Sequence, residues 1–244
     1  MRWRDWHARR RRGVVRLTIG QWGALSVFAL VAVIVAVGVG PPRGAAPRVD
    51  APRVAQARTA LAALATLPTR PPHDTGYDRD AFGTAWTDAS DAPGSGNRCD
   101  TRNDILTRDL EVSGQTAISS CPRAVSAGVL TSPYTGRSVV FERGRSSAAV
   151  QIDHVVPLSY AWDLGAREWP RARRTAFAND PANLVAVDGP SNQAKSDAEP
   201  AVWMPPLDGF HCQYAVQFVT VLHAYGLPVD EPSRAVLSEA LAAC

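Results

Sequence analysis

Between Leu17 and Pro42 the chain carries no charged residue, and directly before this run stand Arg2, Arg4, Arg9, Arg10, Arg11, Arg12 and Arg16. A helix that crosses a bilayer needs ~20 mostly apolar residues, and this run supplies them, being almost all Ala, Val, Leu, Ile and Phe from Ala24 to Val39. Arginine on the N-terminal flank predicts a cytoplasmic tail over 1–16 and a transmembrane helix or signal anchor over 17–40. The remainder then lies outside the cell, held to the membrane through 17–40. The alternative is a secretory leader cut near Gly44-Ala45-Ala46, which would leave the same domain secreted.

That division changes the meaning of the charge. Residues 1–40 hold seven Arg and one Asp, a net of +6, against +3 for the whole chain, which leaves −3 for residues 41–244. A globally basic, polyanion-coating domain is therefore excluded, and any contact with nucleic acid has to come from a local patch. Residues 41–52, rich in Pro, Ala, Arg and Gly, read as a linker, and 53–244 as one domain of ordinary size.

Cys99, Cys121, Cys212 and Cys244 are the only cysteines. None sits in a C-x-x-C pair, which argues against a structural zinc site. An even number in an exported domain predicts two disulfides. Three connectivities exist. The local one is favoured, Cys99 with Cys121 and Cys212 with Cys244, and its second bridge would clasp the two C-terminal helices into a hairpin.

Leu61, Leu64 and Leu67 fall at helical spacing, and Pro68 to Pro72 end that helix. Tyr77, Phe82 and Trp86 predict an aromatic anchor. Ile105, Leu106 and Leu110 predict a short helix, with Arg102 or Asp104 available to support a site from behind. Residues 138–142 and 148–153 read as strands around the turn "RGRSS", 158–178 as helical, 183–187 as a short strand, and 191–197 as a helix capped by Ser191. Helices over 210–225 and 233–243 end the chain. The expected class is α+β: a mainly helical domain around a small strand–strand–helix core, behind the N-terminal transmembrane helix.

Three pieces within 138–197 carry chemistry: "IDHVVP" at 152–157, "NDPANLVAV" at 179–187 and "GPSNQAKSD" at 189–197. Asp153 offers a carboxylate and Asn192 an amide oxygen, a donor pair suited to a hard cation such as Mg²⁺, with Mn²⁺ as second choice. His154 suits a general base, since an imidazole of reference pKa ~6.5 titrates near working pH. Asn183 can pin the intervening loop through its amide. Lys195 is the only lysine in the chain, one helical turn after Asn192, where it could meet a phosphate oxygen as a compact charge. Strand neighbours point to opposite faces, so Asp153 and His154 can flank one phosphate only where the strand ends.

These residues resemble the HNH, or ββα-metal, endonuclease family. The similarity is greatest to exported HNH proteins related to the C-terminal domain of GmrSD-type restriction enzymes, and extends to "CDTRNDIL", "RPPHDTGYDRDAFG" and "WMPP". The HNH domain of CRISPR effector nucleases is also similar in the order Asp-His, Asn, Asn-x-x-Lys-Ser-Asp. The resemblance implies that His154 is the general base, Asp153 and Asn192 the metal ligands, and Asn183 a structural residue. Members with histidine in place of Asn192 bind transition metals more readily, so this chain departs toward Mg²⁺ or Mn²⁺.

Singly, each residue has an ordinary explanation: an Asp-His pair arises by chance, Asn192 can serve a turn, and Lys195 can be solvated. Type, order and spacing together point to an extracytoplasmic, metal-dependent endonuclease acting on DNA, with RNA as a further substrate. Low sequence specificity is expected, because no helix-turn-helix or zinc-finger module is recognisable. The alternative is a non-catalytic exported module that binds nucleic acid or the cell surface. No H-E-x-x-H, G-x-G-x-x-G or P-loop occurs. His73, His211 and His223 are assigned no chemistry. Arg143, Arg145, Arg167, Arg171, Arg173 and Arg174 flank the motif and are candidates for phosphate-backbone contacts.

Overall fold

The computed structural model describes residues 49–244. The expected tail, the expected span over 17–40 and most of the expected linker lie outside the described residues, among which no helix is long and apolar enough to cross a membrane. What is described is a mixed α and β fold of seven α-helices and three small sheets.

Asp50 opens α1 (Ala51–Ala63): its carboxylate accepts from Arg53 N at 2.8 Å, and Pro52 fits the first turn, where no amide partner is needed. Val54, Ala57 and Leu61 recur at helical spacing and are buried. The two-residue β1 (Thr66–Leu67) follows. Next, α2 (Thr101–Asp109) is capped by Asp100 and buries Ile105 and Leu106.

An antiparallel meander then forms from β2 (Glu111–Ile118), β3 (Cys121–Thr131) and β4 (Ser138–Glu142). The sequence pattern does not announce β2, because it is largely exposed on both faces and lacks the alternation that marks a half-buried strand. Nor are the strands around "RGRSS" partners. β4 pairs with β3, while β5 (Val150–His154) pairs antiparallel with β6 (Leu184–Asp188). Between β5 and β6 the chain forms α3 (Leu158–Asp163) and α4 (Arg171–Asn179).

After β6, α5 (Gly189–Lys195) starts two residues earlier than expected. Its cap is Asp188 and not Ser191: Asp188 Oδ1 accepts from Ser191 N at 3.0 Å. A Cβ on Gly189 would lie 2.8 Å from Ala148 O, so glycine is what lets α5 begin this close to the lead-in of β5. The chain ends with α6 (His211–Tyr225), β7 (Val229–Asp230), which runs parallel to β1, and α7 (Glu231–Ala242). The disulfides are Cys99–Cys121 and Cys212–Cys244, the favoured local pairs.

The β5–β6 ribbon separates two apolar clusters. Val150, Ile152, Leu184 and Ala186 face Ile105, Leu106 and Phe141. Val185 and Val187 face the larger cluster built from α1, α3, α6 and α7. Full burial of one such side chain stabilises by ~1.5–3 kcal/mol, so the ribbon is held from both sides. Strand alternation puts Asp153, opposite Val185, on the second face and His154, opposite Leu184, on the first.

Candidate active site

Asp153 and His154 are the last two residues of β5, and both line a cleft of about 650 Å³. Asn192 of α5 lines it too, together with Gln151, His73, Arg79 and Asp197. The strand therefore ends where one space is open to both of its faces.

Asp153 is buried and already well supplied with donors. Tyr134 Oη donates to its Oδ2 at 2.5 Å, and Lys195 Nζ donates to its Oδ1 at 2.9 Å. Burial pushes the carboxyl up and the Lys195 ammonium down, and the attraction between the two opposes both shifts. Burial and the neighbouring Asp153 hold the Tyr134 phenol well above its ordinary range, so it remains a donor.

His154 has a different surrounding. Trp86 stacks on its ring, with centroids 5.7 Å apart and planes at 13°. Its Nε2 lies 2.8 Å from Ala178 O, and a carbonyl only accepts, so Nε2 carries the proton and Nδ1 keeps the lone pair. Burial pushes the imidazole down to about 3, with the nearby Arg79 charge adding to the effect. The ring is therefore neutral at neutral pH.

Three contacts aim this strand end. Asn183 Oδ1 accepts from Val156 N at 2.8 Å and its Nδ2 donates to Val156 O at 3.2 Å, tying the turn after β5 to the start of β6. Arg102 donates to Ser147 O and Val150 O at 3.1 and 3.0 Å, fixing the beginning of β5 from α2. Gly83 has φ +88°, and a Cβ there would lie 2.3 Å from Thr175 Oγ1, so only glycine lets the 79–86 segment fold over His154.

Asn192 Nδ2 donates to Gln151 Oε1 at 2.8 Å, and no donor among the described residues reaches its Oδ1. A carboxylate has about four lone-pair sites, so Asp153 retains acceptor capacity beyond its two partners. The donor chemistry fits a hydrated hard cation held by one or two protein oxygens. It does not fit a transition-metal cage: among the described residues no group of three or more His, Cys, Asp or Glu could hold an ion.

Lys195 departs from expectation. It is completely buried, and its ammonium is committed to Asp153 and to His154 O at 2.8 Å. A phosphate contact is replaced by a structural ion pair, because α5 packs that face inward. None of the six flanking arginines lines the cleft. Arg174, for example, is spent on the carbonyls of Ala81 and Arg167. The arginine that does line it is Arg79, which is exposed. Arg79, His73, Trp86 and Tyr134 were the residues without an assigned role at the site. The first three lie in or just beyond the "RPPHDTGYDRDAFG" segment, whose resemblance was the one available signal.

The family described as "GmrSD restriction endonucleases, C-terminal domain" matches residues 100–239. An uncharacterized secreted protein of Arthroderma benhamiae is 37% identical over 206 residues, which cover 82% of this chain and 91% of that protein. No solved structure matches the chain. The family match takes in β5, β6, α5 and every residue named for the cleft except those of the 70–86 segment. The chain therefore belongs to the GmrSD restriction endonuclease C-terminal domain family, a membership that points to a nuclease-like function.

Proposed function

We propose that this protein is an exported, metal-dependent HNH endonuclease that hydrolyses DNA phosphodiester bonds with low sequence specificity. One observation carries the reading: His154, whose Nδ1 is left as an acceptor, lines the cleft that Asp153 and Asn192 also line. The bond to Ala178 O fixes the tautomer, so Nδ1 is the atom that takes a proton from the attacking water. A phosphodiester in the cleft brings negative charge, which favours the imidazolium and returns basicity that burial removes. Arg79 is placed to orient that phosphate, and Asn183 holds the turn that carries the base. Asp153 and Asn192 are the residues that would hold a divalent cation, Mg²⁺ or Mn²⁺. When bound, it neutralises phosphate charge and stabilises the departing oxygen.

Two disulfides support export, since such bonds persist in oxidising compartments. The Arthroderma relative is described as secreted, which favours release of this domain over retention through 17–40. The mass of the exported protein separates the two.

The alternative, a non-catalytic binding module on the same scaffold, draws on the partners that Asp153 already has in Tyr134 and Lys195. Plasmid nicking by the full chain decides between them. The nuclease reading expects nicking in Mg²⁺, none in EDTA, and a fall of ~10²-fold or more in His154→Ala. Nicking that survives His154→Ala would sink the mechanism. Nucleic-acid binding without cleavage in any metal would favour the module.

A further inference from the structure

We infer that His73 is the second proton-transfer group of this site, the acid that protonates the departing sugar oxygen. The inference rests on the nuclease reading and adds to it. His73 lines the same cleft as Asp153, His154 and Asn192, although it lies about eighty residues before the Asp153-His154 pair in the chain. Its ring is held from behind. Nδ1 is 3.4 Å from Asp163 Oδ2, and the Asp163 side chain is 0% exposed. A carboxylate accepts only, so Nδ1 donates and Nε2 is the nitrogen left for the cleft.

Asp163 is itself fixed. Arg70 donates to its Oδ2 from Nε at 3.0 Å and from Nη2 at 2.8 Å, and Asp74 N donates to its Oδ1 at 3.2 Å. Arg70 Nη1 also reaches Glu199 at 2.7 Å and Asp197 O at 3.1 Å, which ties the 70–77 segment to the chain just after α5. The Tyr77 ring meets the His73 ring edge-on at 5.9 Å. His73 is nevertheless half exposed, at 51% of its side chain, so its free nitrogen is open to a ligand.

The two histidines are supported in opposite ways. The Ala178 carbonyl fixes the proton of His154 on Nε2 and leaves Nδ1 as an acceptor, as suits a base. The Asp163 carboxylate, itself paired with Arg70, accepts from Nδ1 of His73, which leaves Nε2 as the nitrogen for proton transfer. The step balances with these two groups. The water oxygen bonds to phosphorus while His154 Nδ1 takes its proton. The bond from phosphorus to the sugar oxygen breaks, its electron pair stays on that oxygen, and the oxygen takes the Nε2 proton of His73. Solvent then returns one proton to His73 and removes one from His154.

A sulfur leaving group departs as a thiolate and needs no acid, which supplies the test. The full chain is assayed on oligonucleotides that carry one 3′- or 5′-bridging phosphorothiolate among ordinary linkages, in Mg²⁺ and in Mn²⁺. His73→Ala and the shape-conserving His73→Gln are expected to slow cutting of ordinary linkages by ~10²-fold. Both are expected to cut one of the two sulfur-bridged linkages at nearly the wild-type rate, whereas His154→Ala stays slow on all of them. The inference is overturned if the His73 variants cut ordinary linkages like wild type. It is equally overturned if neither sulfur linkage is rescued, since His73 would then serve only to position the phosphate. A wild-type chain that cuts no linkage overturns the nuclease reading itself, and this inference with it.

Discussion

Lys195 Nζ stands 2.9 Å from Asp153 Oδ1, and neither side chain is more than 6% exposed. The one lysine of the chain therefore joins α5 to the end of β5, directly behind the candidate metal ligand. Breaking a buried pair leaves an uncompensated charge, which costs ~3–5 kcal/mol. Lys195→Met is expected to lose that much in urea unfolding at pH 7. The double variant Lys195→Met, Asp153→Leu should recover most of it. A Lys195→Met protein within 1 kcal/mol of wild type would show that the pair carries no such weight.

Asn183 is fully buried and makes both of its amide bonds to the backbone of Val156. Asn183→Ala leaves Val156 N without an acceptor, at a cost of about 1–3 kcal/mol. The turn after β5 then loosens, and nicking should fall together with stability. Full activity in a destabilised Asn183→Ala protein would mean that this turn does not aim His154.

The low position of His154 makes stability depend on pH in the metal-free protein. The folded imidazole titrates at about 3, against an ordinary value of 6.5. Below pH 6.5 the unfolded chain takes a proton that the folded chain refuses. The contribution is thus complete above 6.5 and is lost as pH falls toward 3. His154→Gln lacks this loss. In EDTA, its deficit relative to wild type should shrink by ~1–2 kcal/mol between pH 6 and pH 4.5. A deficit that stays constant over this window contradicts a depressed His154.

The two disulfides have different neighbours. Cys212–Cys244 joins the start of α6 to the end of the chain beside α7, both parts of the larger apolar cluster. Replacing both cysteines by serine should lower global stability by ~2–4 kcal/mol. Cys99–Cys121 ties the exposed β2–β3 hairpin to the lead-in of α2. Its removal should show first as protease cleavage near 111–122, with a smaller change in melting temperature. Equal effects on melting would contradict this division.

Much of the fold was legible where burial is periodic. Ile105 and Leu106 on α2, and Tyr214, Phe218, Val221 and Leu222 on α6, repeat at helical spacing because one face of each helix is covered. Of the expected Leu61, Leu64 and Leu67 only Leu61 lies in α1, which ends at Ala63, before the prolines: Leu64 is its extended C-cap and Leu67 falls in β1, which pairs with β7. The β2 strand was not legible, since exposure on both faces leaves no pattern to read. The start of α5 was misplaced by two residues because Ser191 and Asp188 are both good caps, and only the chain geometry before Pro190 selects Asp188.

The sequence by itself determined which groups the site has: an imidazole and a carboxylate at a strand end, an amide in the next turn, and an amide and an ammonium one helical turn apart. Only the tertiary structure decided where they point. Helical spacing puts Asn192 and Lys195 on one face, yet what covers that face depends on segments far away in the chain. The Asp153 carboxylate and the His154 carbonyl at the β5 end draw the ammonium inward, while the 70–86 segment brings His73 and Arg79 to the cleft. Periodicity is a local property, and a side chain's partner is set by long-range packing, which no local pattern encodes.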